Sequence, residues 1–202
     1  MKLTKKSGLA LVFIAIFMIS SIVAFSGFFL TPEPRLVVFE TSKGIIEIEL
    51  YQDKAPVTVI NFIKYVETKF FDGTVFHRVV KKATFSVVQG GGFTADGTQK
   101  PTNPPIKLES TGLKNLKGTI AMARSASPDS ATSQFYFNVI DHADLDPSKS
   151  SYGYVVFGKV IQGWEIVESI AGVATGTKTI SGNVFEDWPI QDIVIQRAYL
   201  KR

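Results

Sequence analysis

The chain has 202 residues, 45% of them hydrophobic, with no cysteine, two histidines and a formal net charge of +4. That length suits one domain with a short appendage, and the lack of cysteine leaves neither disulfides nor thiolate-bound metal, so the domain must stand on core burial alone. Lys2, Lys5 and Lys6 are the only charged side chains in residues 1–30; subtracting them leaves +1 for the rest, too little and too scattered for a nucleic-acid face.

Behind those lysines runs GLALVFIAIFMISSIVAFSGFFL, Gly8 to Leu30, 23 residues without a charge. A basic head before an apolar stretch long enough to cross a bilayer is the pattern of a membrane-targeting leader. Small residues at Ala24 and Ser26 sit at the spacing a signal peptidase needs, whereas the length and the trailing FFL suit an uncleaved anchor. Residues 1–30 are therefore expected to form an N-terminal apolar helix, as signal peptide or signal anchor. The rest of the chain is then exported, either anchored at the periplasmic face of the inner membrane or released as a soluble periplasmic or secreted protein. Thr31 to Arg35, TPEPR, carries two prolines that stop the helix and make a linker over 31–35. The folded domain is expected over 36–202.

Leu36 to Thr41 and Ile45 to Leu50 read as a hairpin about Ser42-Lys43-Gly44. Pro56 opens a helix ending near Phe70, with Val59, Ile60, Phe62, Ile63 and Val66 as its apolar stripe. Val75 to Val80 contains FHR; strict alternation puts Phe76, Arg78 and Val80 on one face and Val75, His77 and Val79 on the other. Arg78 is thus either a surface residue on an open sheet face or a donor at the edge of an apolar pocket. His77 falls on the buried side and reads as packing. Further strands are expected at Phe85 to Gln89, Gly118 to Met122, Gln134 to Ile140, Tyr154 to Val160 and Ile193 to Leu200, with a second helix at Trp164 to Ile170. About eight strands and two helices predict a mainly β chain whose antiparallel sheet closes on itself, because closure removes exposed edges.

Several chemistries lack support. His77 and His142 have no His-x-x-x-His or His-Glu partner, so no metal is expected. Ser125 and Ser133 lack a His-Asp partner at any recognisable spacing. QGGG at 89–92 precedes neither Lys-Ser/Thr nor a helix, so it is no phosphate loop, and its glycines read as a tight backbone path.

FHR, QGG, AMAR, SQFYF and VFGKV nevertheless follow one another at spacings that one family shares. From about Leu36 to Leu200 the chain resembles the cyclophilins, the peptidyl-prolyl cis/trans isomerases, and looks most like the bacterial periplasmic type. The resemblance implies a closed eight-stranded antiparallel β-barrel capped by two α-helices, a groove on its outer face, proline-containing polypeptides as substrates, no cofactor, and a monomer. It implies Arg78 as the catalytic arginine and Gln89 and Gln134 as groove glutamines. Ala123, Arg124 and Ser125 would line the extended peptide, Val87 and Tyr136 the pocket, and Leu145 and Tyr154 its rim.

Two departures from the family stand out. Arg78 and Gln89 are eleven positions apart where eight is usual, and Ser86 stands where a phenylalanine is expected. Phe85, on the face of Val87 and Gln89, is expected to fill the socket, with the extra KKAT residues looped outward as a bulge. Asp144 replaces a rim aromatic, which removes apolar contact worth ~1 to 3 kcal/mol to a large apolar ligand such as cyclosporin. The isomerase is the leading reading. A cyclophilin-like module that holds Pro segments with little turnover is the alternative, and a structural anchored barrel with no groove comes last.

Overall fold

The computed structural model describes residues 35–180 and 182–201. The expected leader at 1–30 and all but Arg35 of the linker lie outside the described residues. Among the described residues no helix is long and apolar enough to cross a membrane.

The first hairpin forms as expected, from β1 (Arg35–Thr41) and β2 (Gly44–Leu50), with Thr41 opposite Gly44. The Thr41 hydroxyl closes the turn, donating to the Gly44 carbonyl at 2.7 Å and accepting from the Lys43 N–H at 3.1 Å. α1 (Pro56–Glu67) begins at the proline, where a missing N–H is no loss. Its Ala55 cap offers no side chain, so the distant Glu109 carboxylate takes that role, accepting from the Val57 and Thr58 N–H groups at 2.9 and 2.7 Å. Val59, Phe62 and Val66 are buried, but Ile60 is 59% exposed: one position on from Val59, it turns away from the core. The helix stops at Glu67 rather than near Phe70. Lys69 then adopts φ 56 and Phe71 enters the core.

The chain continues through β3 (Arg78–Lys81), β4 (Ser86–Gly90), β5 (Thr119–Met122), β6 (Phe135–Asn138), β7 (Val156–Gln162), α2 (Trp164–Ala171), β8 (Thr175–Ile180), β9 (Asn183–Pro189) and β10 (Ile195–Lys201). Eight strands pair in the order β10-β1-β2-β7-β5-β6-β4-β3, all antiparallel. β8 and β9 form a separate hairpin that the polar, glycine-containing segment after α2 does not signal.

The closed barrel expected from the sequence is not formed; the sheet is a curled half-barrel that ends at β10 and β3. Ahead of β3, Gly73 and Phe76 donate to the Ile195 and Ile193 carbonyls at 2.8 and 3.0 Å, yet only a single bridge, Val75 with Val194, results. Strand regularity is lost at His77, so β3 never runs alongside β10. The same break undoes strict alternation over 75–80. Phe76 joins Val79 in the inner core instead of sharing the face of Arg78.

Inside the curl Phe39, Phe62, Phe71, Phe76, Phe135, Phe137 and Phe157 are fully buried. Their rings pack at angles suited to the aromatic quadrupole, as in Phe62–Phe157 at 5.0 Å and Phe39–Phe135 at 5.3 Å. With Val88, Ile120, Phe135, Phe137 and Phe157 turned inward, alternation turns Val87, Ala121, Tyr136 and Val156 outward. Those outward residues are where a groove can form.

Candidate functional site

The outward side chains do not all meet water. Val80, Val87, Ala121, Tyr136 and Val156 make a second buried apolar cluster, and against it lies a cavity of about 150 Å³. Phe85, Val87, Ala123, Tyr136, Leu145 and Tyr154 supply its apolar and aromatic lining, and Arg78, Gln89 and Arg124 its polar one.

The β3–β4 hairpin sets one wall. Arg78 pairs with Gln89, Val80 with Val87 and Lys81 with Ser86, all in register. Lys82 and Phe85 then exchange backbone hydrogen bonds at 2.9 and 3.3 Å, leaving Ala83 and Thr84 as the turn. The extra residues therefore lengthen a regular hairpin and do not loop out as the expected bulge. Parity places Phe85 at the cavity beside Val87 and Gln89, while Ser86 is 2% exposed on the inner side.

Arg78 is half-exposed, with its guanidinium carbon 5.6 Å from the centre of the Phe85 ring and its Nε 4.0 Å from Asp187 Oδ2. Gln89 donates from Nε2 to Gln134 Oε1 at 2.9 Å. Gln134 does not line the first cavity. It lines a more open cleft of about 530 Å³ together with Arg78, Gln89, His77, Phe93 and Asp187. Arg78 and Gln89 thus border both spaces. Close approach explains the neighbouring glycines: a Cβ on Gly92 would meet the Gln134 side chain at 2.8 Å, and one on Gly91 (φ 81) would meet Phe135 at 2.8 Å.

The opposite wall hangs from Asn115, which is 1% exposed. Its Oδ1 accepts from the Tyr136 hydroxyl at 2.9 Å and from Asn138 Nδ2 at 3.2 Å. Its Nδ2 donates to the Leu145 carbonyl and to Asp146 Oδ1, both at 3.1 Å. One amide therefore ties β6 to the segment carrying Leu145. Burial pushes the Tyr136 phenol well above its ordinary range, which keeps it a neutral donor. Burial would also raise the Asp146 carboxyl, but hydrogen bonds from Asn115 and the nearby Lys114 ammonium outweigh that and hold it below its ordinary value. Arg124 stacks on the Tyr154 ring at 4.7 Å and donates from Nε to the Gly153 carbonyl at 3.0 Å.

Ser125 lines neither space; its N–H and hydroxyl bond the Ser130 hydroxyl at 3.0 and 2.9 Å. Asp144 has a side chain 68% exposed and points its carboxylate toward His142 Nδ1 at 3.7 Å, outside the cavity lining. His77 is 4% exposed, with Phe93 and Trp188 ring centres at 4.8 and 5.9 Å. Burial lowers its pKa to about 4, so it is neutral near pH 7. The Ser133 hydroxyl is fully buried and donates to the Gly91 carbonyl at 2.7 Å. What converges here is an apolar cavity bordered by two arginines and the Gln89 amide. Asn115 and Asp187 carry no motif and were missed; the partners of each come from distant parts of the chain.

The family model for cyclophilin type peptidyl-prolyl cis-trans isomerase/CLD matches residues 36–200. The chain is 46% identical over 185 residues to peptidyl-prolyl cis-trans isomerase A of Dickeya dadantii (strain 3937), covering 91% of this chain and 94% of that protein. It is 44% identical over 165 residues to peptidyl-prolyl cis-trans isomerase B of Escherichia coli (strain K12), covering 80% and 96%. Among solved structures, a Cryptosporidium parvum cyclophilin type peptidyl-prolyl cis-trans isomerase superposes with a TM-score of 0.65 at 23% identity, covering 84% of this chain and 98% of that one, a likeness of fold. The same protein in the presence of the dipeptide Ala-Pro gives 0.64.

Proposed function

The chain belongs to the cyclophilin-type peptidyl-prolyl cis-trans isomerase family, and we propose that it accelerates X-Pro isomerisation in exported polypeptides, with Arg78 as the donor beside a proline-gripping socket. Rotation about an X-Pro bond meets a barrier of ~18 to 20 kcal/mol set by amide resonance, with no bond made or broken. Such a reaction needs no nucleophile. It needs an apolar grip on the ring and a donor that favours the twisted amide over the planar one.

The observation that carries this reading is the position of Arg78 and Gln89 on the border between the apolar cavity and the open cleft. A proline ring held by Phe85, Val87, Tyr136 and Leu145 leaves its preceding carbonyl and its nitrogen at that border. Arginine suits the task because its fork is rigid and keeps its proton. The extended chain on either side of the proline would pass Gln134 and the segment Ala123–Ser125. The alternative, a module that holds Pro segments with little turnover, drew on the displaced phenylalanine; Phe85 in the cavity supports the isomerase instead, and equal, negligible rates in the assay below would favour the module.

Residues 1–30 direct the site outward in this proposal: the leader carries the domain across the inner membrane, and anchored or released it meets polypeptides as they emerge. The domain then works as a monomer on proline-containing segments without a cofactor.

A cis-to-trans conversion assay on short Xaa-Pro peptides tests the reading, run on the full chain and on Arg78→Ala. Loss of one preorganised donor should cost ~100- to 1,000-fold in kcat, with KM changed far less. Equal rates for the two proteins would exclude Arg78 as the donor.

A further inference from the structure

The contact between Arg78 and Asp187 is the product of a bulge. β8 and β9 pair Gly176 with Trp188 and Lys178 with Phe185, so Glu186 and Asp187 together face Thr177 alone. Three positions apart on a regular strand, Phe185 and Trp188 would point to opposite sides. The extra residue lets both rings pack on Phe93, at 5.1 and 6.0 Å. Asp187 takes up the irregularity with φ 59, in the left-handed region that Asp and Asn enter more readily than other side chains. Bulges of this kind re-aim a side chain. Here the re-aimed carboxylate reaches Arg78 Nε at 4.0 Å, its one ion pair among the described residues.

We propose that Asp187 is a positioning residue for Arg78: its carboxylate holds the guanidinium by the Nε edge, opposite the Phe85 ring, so that the remaining donors stay turned to the border of the two cavities. The proposal depends on the reading of Arg78 as the donor. Phe85 and Asp187 come from different hairpins, and between them they restrict a long side chain that no hydrogen bond of the β3–β4 hairpin restrains. Orientation of that donor matters most when the amide is twisted, so the effect belongs in kcat and not in KM.

The test uses the full-length chain and its D187N, D187E and R78A variants. Asparagine accepts the same left-handed backbone, so D187N keeps the bulge and removes only the charge. D187N should lower kcat roughly three- to fivefold, the size a part-exposed ion pair supports, with KM near that of the parent. The loss should shrink at high salt, the Arg78 Nε–H resonance in a nitrogen-15 NMR spectrum should shift, and D187E should recover part of the rate. An unchanged kcat in D187N, or a fall with the Arg78 resonance unmoved, would overturn the proposal. R78A separates the two readings: if it is inactive while D187N is unaffected, this proposal alone fails, whereas an R78A chain as active as the parent removes the role of Arg78 and this one with it.

Discussion

Phe85 stands at the last position of a turn, a place where side chains usually meet solvent, yet it faces the cavity from beneath Arg78 and packs on His142 at 5.0 Å between ring centres. It supplies apolar area and, through its ring face, a resting place for the guanidinium. Truncating it should therefore cost ~1.5 to 3 kcal/mol of grip on a proline ring. Phe85→Ala is expected to lower kcat/KM roughly 10- to 100-fold in the peptide assay while circular dichroism stays native; an unaltered kcat/KM would remove Phe85 from the socket. Strand parity put Phe85 on the face of Val87 and Gln89, and Phe85 lines the cavity with them, because the face a side chain takes is a local property of an extended chain. The shape of the insertion was not legible in the same way. A hairpin and a bulge accommodate the same residues and differ only in whether Lys82 and Phe85 bond each other, which they do.

Between elements, one buried amide ties β6 to the segment that carries Leu145. Asn115 sits in a loop whose sequence, LKNLKG, has no periodicity and no motif, and its importance comes from what it reaches: Tyr136, Asn138, Leu145 and Asp146. Asn115→Ala strands a phenol and a carboxylate with fewer partners and should destabilise the fold by ~2 to 4 kcal/mol. Denaturant unfolding would show this as a lowered midpoint. Peptide KM should rise as well, since Leu145 and Tyr154 lose their anchor; a variant with the parent's midpoint and KM would show that the wall holds without Asn115. The β8–β9 hairpin makes a related point. β8, TGTKTI, is too polar to announce itself, and the hairpin is organised by Phe93, Phe185 and Trp188 meeting in a small cluster of their own.

At the scale of the whole molecule, burial of His77 links the fold to pH. The folded value is about 4 against an ordinary 6.5, so between these limits the unfolded chain binds a proton that the native one refuses. Stability is therefore complete above pH 6.5 and declines as pH falls toward 4, by ~3 kcal/mol from this group. Carboxylates held below their ordinary value, such as Asp146, withdraw their contribution only at lower pH. Unfolding midpoints measured from pH 7 to 4 should show the decline, and His77→Phe, which keeps an aromatic ring among Phe93 and Trp188, should flatten it; an identical slope in both proteins would exclude His77 as the source. Local rules sufficed for much of this molecule: alternation and turn residues located the eight strands of the main sheet and Pro56 began α1, while the family resemblance carried by FHR, QGG and SQFYF singled out Arg78, Gln89 and Gln134. Whether the sheet closes, which outward residues share a cavity, and what stands beside Arg78 depend on partners far along the chain. Loss of regularity at His77 leaves the sheet open, Gln134 turns to the second cleft, Ser125 turns to Ser130, and a bulge brings Asp187 to the arginine. Those outcomes follow from packing between distant segments, which no window of sequence contains.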